Sequence, residues 1–97
     1  MKTVYISIGN SDDKLTQEEW AGYCMSLHQM AADFSNQIFG VWYSLPNSEY
    51  QNMCIAFSYS EDDHNDLIIE LDDLRKHFNQ TSIAFAEVPE TKFIGVG

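Results

Sequence analysis

The 97 residues carry fifteen Asp and Glu against five Lys and Arg, a formal net charge of −10. A surface this negative repels nucleic acid and anionic membrane and attracts basic protein surfaces. With 44% apolar and 13% aromatic residues the chain is too apolar for an acidic disordered tail, and its length fits one domain, 1–97, around one core.

The first strand is expected at Lys2–Ile8, where Val4, Ile6 and Ile8 alternate with Thr3, Tyr5 and Ser7. The turn formers Gly9-Asn10-Ser11-Asp12-Asp13 end it. Thr16-Gln17-Glu18-Glu19 reads as a capping box, and Glu18 and Glu19 suit the positive end of the helix dipole. That helix should run to about Phe34, because Trp20, Tyr23, Cys24, Leu27, Met30, Ala31 and Phe34 recur at three and four.

Ile38–Leu45 and Tyr50–Tyr59 follow as second and third strands, joined through the turn Pro46-Asn47-Ser48 and so antiparallel neighbours. The acidic segment Glu61–Asp66 leads into a second helix from near Asn65 to near Phe78. Leu67, Ile68, Leu71, Leu74 and Phe78 form its buried stripe, and Arg75, Lys76 and His77 lie in its last turn. Ser82–Val88 is the fourth strand, and after Pro89-Glu90 the residues Thr91–Ile94 can add a short fifth. The order β-α-β-β-α-β is that of a ferredoxin-like two-layer α+β sandwich. Right-handed crossovers put both helices on one face of a four-stranded antiparallel sheet.

The other face is then open. If Val4, Ile6 and Ile8 meet the helices, Tyr5 points to the open side with Thr3 and Ser7. Phe39, Val41 and Tyr43 share one face of the hairpin and Trp42 and Ser44 the other. Sequence leaves undecided which side Trp42 takes, since a slip of one residue reverses it. Stacked aromatics on an open sheet suit RNA bases, but the first and third strands offer only Lys2 to hold phosphate, so direct nucleic-acid binding is not expected. A partner protein, a second copy or the C-terminal Phe93-Ile94 is the expected cover.

Seven acids fall between Glu61 and Asp73 with no Lys or Arg among them: Glu61, Asp62, Asp63, Asp66, Glu70, Asp72 and Asp73. The plain reading is a solvated surface. A calcium loop is disfavoured, because the Asp-x-Asp-x-Asp-Gly spacing and the later bidentate Glu are missing. Asp66, Glu70 and Asp73 are four and three residues apart and share a helix face, spaced by roughly 4.5–6 Å along its axis, which is sparser than DNA phosphates but of similar order. Asp62 and Asp63 could extend the row. It could occupy the basic groove of a nucleic-acid-binding protein.

Catalytic patterns are weak. Cys24 and His28 are four apart on a helix, but two ligands make no zinc site. His64 has no nucleophile beside it in sequence, and Gly9-Asn10-Ser11 lacks the phosphate-loop pattern. No catalytic residue, metal or cofactor is expected. Cys24 and Cys54 sit in apolar-patterned segments and read as buried reduced thiols. Neither a signal peptide nor a stretch of about 18 apolar residues is present, so the chain reads as soluble and cytoplasmic.

The stretches Ile8–Trp20, Gly40–Ser44 with Tyr50-Gln51-Asn52, and Ser82–Glu87 with Phe93-Ile94-Gly95 resemble a group of small uncharacterised acidic proteins of actinobacteria and their phages and mobile elements. The resemblance carries no site residues. It implies a phage-type accessory protein, a class rich in acidic inhibitors of host nucleic-acid machinery, including restriction and CRISPR systems.

The expected function is therefore a non-enzymatic acidic interaction domain for a basic surface of a nucleic-acid-handling protein. Glu61, Asp62, Asp63, Asp66, Glu70 and Asp73 would supply charge, Asp12 and Asp13 a second patch, and Tyr5 and Trp42 apolar anchors. The alternative is a ferredoxin-like homodimer with paired open faces, binding a small ligand or doing modest chemistry between sheet and helices.

Overall fold

The computed structural model describes residues 1–10, 14–45, 48–89 and 94–95. Alternation builds the sheet. In β1 (Lys2–Gly9) Val4, Ile6 and Ile8 are buried and Tyr5 is exposed. β3 (Asn52–Tyr59) turns Met53, Ile55, Phe57 and Tyr59 to the same side. The register sets Val4 opposite Phe57, Ile6 opposite Ile55 and Ile8 opposite Met53, so this face is one continuous apolar layer.

Two helices cover that layer. α1 (Gln17–Phe34) starts on the expected capping box: Thr16 Oγ1 accepts from the Glu19 amide at 3.1 Å, and Glu19 Oε1 accepts from the Thr16 amide at 2.9 Å. It buries Trp20, Tyr23, Cys24, Leu27 and Ala31. α2 (His64–His77) follows a single 3₁₀ turn at Glu61–Asp63 and buries Leu67, Leu71 and Leu74. Phe78, just past α2, stacks on Tyr23 with ring centroids 4.7 Å apart and ties the helices together. Asn79 then takes φ 54, a left-handed conformation that Asn tolerates. The reversal lets the Gln80 amide donate to the Arg75 carbonyl at 3.0 Å.

The strand order is β2-β3-β1-β4, with β2 (Ser35–Tyr43) and β4 (Ala84–Val88) at the edges and every pairing antiparallel. This is the ferredoxin-like βαββαβ sandwich expected from the sequence.

Several boundaries and faces differ from expectation. β2 starts at Ser35 rather than Ile38, because Ser35 is extended directly after α1 and pairs with Tyr59. A register shift between Ile38 and Gly40 makes Phe39 an extra residue, so Phe39 leaves the row of Val41 and Tyr43. β3 begins at Asn52 and β4 at Ala84, each two residues later than expected. Ile68 is exposed rather than part of the buried stripe. Cys54 is only partly buried, since it is an open-face position paired with Trp42 and Ser7. Of the expected fifth strand, Thr91, Lys92 and Phe93 lie outside the described residues, and Ile94 is fully exposed and in no strand.

Asn10 explains the first connection. Buried at the end of β1, it accepts from the Leu15 amide at 2.9 Å and donates to the Leu15 carbonyl and to Gln51 Oε1, each at 3.1 Å. The Gly9-Asn10 segment is thus a clasp between the β1–α1 loop and the start of β3.

Candidate interaction surfaces

The open face is read from the pairing. One row across the sheet is Gly40, Ala56, Tyr5 and Ala86; the next is Trp42, Cys54, Ser7 and Ala84. Thr3, Ser58 and Val88 continue it. Trp42 therefore lies on the same side as Tyr5, and the two rings stack at 6.3 Å and 23°. Gly40 makes this fit: a Cβ there would stand 2.9 Å from the Trp42 ring. The indole lies over Gly40 towards Tyr5, and Ala56 between them is fully buried. Tyr5 and Trp42 remain 42% and 52% exposed. None of these open-face positions carries a charge. Nucleic acid would find no cation here to hold phosphate.

The acids separate into groups. Asp72 accepts from Arg75 at 2.8 Å and pairs with Lys76 at 3.0 Å; the hydrogen bonds from Arg75 and then Lys76 lower its carboxyl from the usual 3.8. Asp66, Glu70 and Asp73 are exposed and form no ion pair among the described residues. Ile69, three residues after Asp66 and four before Asp73, shares their face and is 58% exposed. Glu61 and Asp62 are exposed in the 3₁₀ turn ahead of α2, and Asp63 is half-buried. Asp12 and Asp13 lie outside the described residues.

A third cluster was not anticipated. The Tyr59 hydroxyl lies 2.8 Å from His64 Nδ1 and 3.4 Å from Glu87 Oε1, and the His64 ring is parallel to that of Tyr59 within 20°. Lys2 Nζ is 3.6 Å from Glu87 Oε2. Burial, then the Glu87 charge, push the Tyr59 hydroxyl up to about 12, so it stays protonated. The cluster pins the start of α2 to the ends of β1, β3 and β4. Only the pairing of Val4 with Glu87 brings that carboxylate in, and no sequence spacing signals it.

Among the described residues, two clefts lie between a helix and an edge strand. One of about 510 Å³, between α1 and β2, is lined by Trp20, Cys24, Met25, His28, Val41 and Tyr43. One of about 270 Å³ lies between α2 and β4 and includes Ile68 and Phe85. Burial pushes the Cys24 thiol up to about 11, which suits core packing and not nucleophilic attack. Among the described residues no three His, Cys, Asp or Glu are placed to hold a metal, and no helix is long and apolar enough to cross a membrane.

Comparison with protein-family models finds no match, and a search of curated proteins finds none either. Solved structures do match. A Deinococcus radiodurans protein, provisionally assigned as an antibiotic biosynthesis monooxygenase, superposes with a TM-score of 0.62 at 15% identity over 100% of this chain and 99% of its own. A dimeric ferredoxin-like protein of unknown function from Thermobifida fusca gives 0.57 at 15% identity, covering 91% and 90%. A de novo designed protein gives 0.56 at 9% identity, covering 93% and 96%. At such identities the likeness establishes the fold alone, and a designed chain among the matches illustrates why fold does not name function.

Proposed function

We propose that this chain is a non-enzymatic protein-interaction domain whose acidic α2 surface engages a basic surface of another protein. The observation that supports it is the stripe Asp66, Ile69, Glu70 and Asp73: carboxylates without an ion-pair partner among the described residues, around an exposed isoleucine. Solubility needs the charges but not the isoleucine. A branched apolar side chain within a charged rim is what a protein contact uses as an anchor. In its finer form this is nucleic-acid mimicry, with Asp62, Asp63, Asp66, Glu70 and Asp73 occupying a phosphate-binding groove, as a phage-type inhibitor of a host nucleic-acid-binding or defence protein would.

The test is retention from a nuclease-treated lysate. The immobilised protein should hold a basic protein that duplex DNA displaces and that raised salt releases. The triple variant Asp66→Lys, Glu70→Lys, Asp73→Lys should hold none of it. A partner that stays bound to the triple variant, or that ignores salt, would sink the reading.

The cleft between α1 and β2 favours a second reading, a small apolar ligand bound by a homodimer; the Thermobifida fusca neighbour, described as dimeric, supports the assembly. An environment-sensitive apolar dye should then bind the triple variant as well as the parent and lose affinity on Val41→Lys. Indifference to Val41→Lys would remove the cleft from consideration.

A further inference from the structure

We infer that the open sheet face is a homotypic interface, covered by the open face of a second copy of this chain. Charge selects the occupant. Two chains of net charge −10 repel wherever their acids meet. The outer surface of the helices carries Glu18, Glu19, Asp33, Asp66, Glu70 and Asp73, all exposed. The open face, across all four strands, presents Tyr5, Ser7, Trp42, Cys54, Ala84 and Ala86, and among the described residues no charge. Self-association of so acidic a chain is least opposed there. A basic partner, by contrast, would find nothing on this face to pair with.

Relief supports the same occupant. The stacked Tyr5 and Trp42 form a ridge over β2, β3 and β1, while Ala84 and Ala86 leave the β4 side low. A two-fold axis through the face sets the ridge of one copy over the low side of the other, the self-complementarity an isologous contact requires. Tyr and Trp at the centre of such a contact are the usual energetic anchors.

Size sets the strength. Strands of five to nine residues, at about 3.3 Å per residue and about 4.8 Å apart, give roughly 450 Å² of plane. Two such faces bury about 900 Å² together, below the standard protein interface, which places the pairing among weak, reversible contacts. Both α2 surfaces stay outward in this pairing, which therefore neither requires nor blocks an acidic-surface partner.

Sedimentation equilibrium of the full chain across micromolar concentrations tests it. The mass should rise from 11.1 kDa towards twice that value, and at lower concentration when salt screens the repulsion. Trp42→Lys should weaken association by at least about tenfold, since it buries an unpaired charge. Ala86→Lys should do likewise; Ala86 is exposed on an edge strand, so this variant decides the matter if Trp42→Lys fails to fold. A monomer at every concentration, whether the face is covered by the chain's own C-terminal segment or by nothing, overturns the inference. So does a dimer that both variants leave intact.

Discussion

The open face of the sheet and the outer face of α2 are both left uncovered by the described residues, and they are opposite in chemistry. On α2 the carboxylates of Asp66, Glu70 and Asp73 stand in solvent, each independent of the others' exact placement. On the sheet, Trp42 can meet Tyr5 only because β2 and β1 both pair with β3 in a fixed register and because position 40 has no side chain. A charged surface is a property of composition and tolerates sloppy geometry. An aromatic surface is a property of tertiary pairing, and it exists only once the strands are aligned. The first should respond to salt and the second to register and shape.

The largest effect separates the two sides of the same sheet. Phe57 is fully buried between β3 and the helices, and Phe57→Ala should lower stability by about 3–5 kcal/mol in thermal or urea unfolding. Trp42→Ala, on the exposed side, should remove only the aromatic pair, about 1 kcal/mol, while greatly weakening self-association. Equal losses of stability would mean that the open face is part of the core and not a surface.

Next in size are opposite salt responses. Raised salt should strengthen pairing through the open face and weaken any partner held by the acidic stripe. The triple variant Asp66→Lys, Glu70→Lys, Asp73→Lys should abolish the second response and, by reducing net charge, flatten the first. If both associations moved in the same direction with salt, the division of labour between the two surfaces would be wrong.

Asn10→Ala probes neither surface but the clasp that holds β1, α1 and β3 in relation. It leaves the buried Leu15 amide and carbonyl without their partner, so a loss of about 1–3 kcal/mol is expected. Gly40→Ala acts more finely. The added Cβ displaces the Trp42 ring, which should shift the indole fluorescence to longer wavelength and uncover Ala56, at little change in stability.

What the sequence made legible follows the same division. Period-two alternation in β1 and period-3.6 spacing in both helices set the sandwich and its closed face, because burial of one side leaves a regular trace. The capping box at Thr16 was readable because its partners are three residues apart. The acidic stripe is legible too, and the signal for Ile69 at its centre is its wrong-side position in the Leu67, Leu71, Leu74 period. The side of Trp42 was not readable, since the β2 bulge at Phe39 interrupts the alternation that would have assigned it. Nor were Tyr59, His64 and Glu87, which come from three elements joined by long-range pairing. Cys54 differs from expectation for a related reason: an apolar strand segment reads as buried even at positions that face outward.

The smallest effect is on pH, where the two surfaces should again part. Glu19 is lowered from its ordinary 4.5 by the Thr16 amide and then the Thr16 hydroxyl, and Asp72 from 3.8 by Arg75 and then Lys76. Both folded values lie below the unfolded ones. Their stabilisation is therefore present above 4.5 and 3.8, and is lost as pH falls through the depressed folded values. Glu19 is exposed and Asp72 only half-buried, so the acid limb of the unfolding curve should be shallow, and Glu19→Gln should make it shallower still. Self-association should run the other way. Acid takes the net charge towards zero and leaves the uncharged sheet face as it was, so the dimer should tighten as pH falls towards the pI of about 4.3, before the fold weakens. Sedimentation and thermal unfolding, recorded together from neutral pH to well below 3.8, would show self-association tightening first and the fold weakening afterwards. Parallel decline would mean that carboxylates, and not the Tyr5–Trp42 face, hold the copies together.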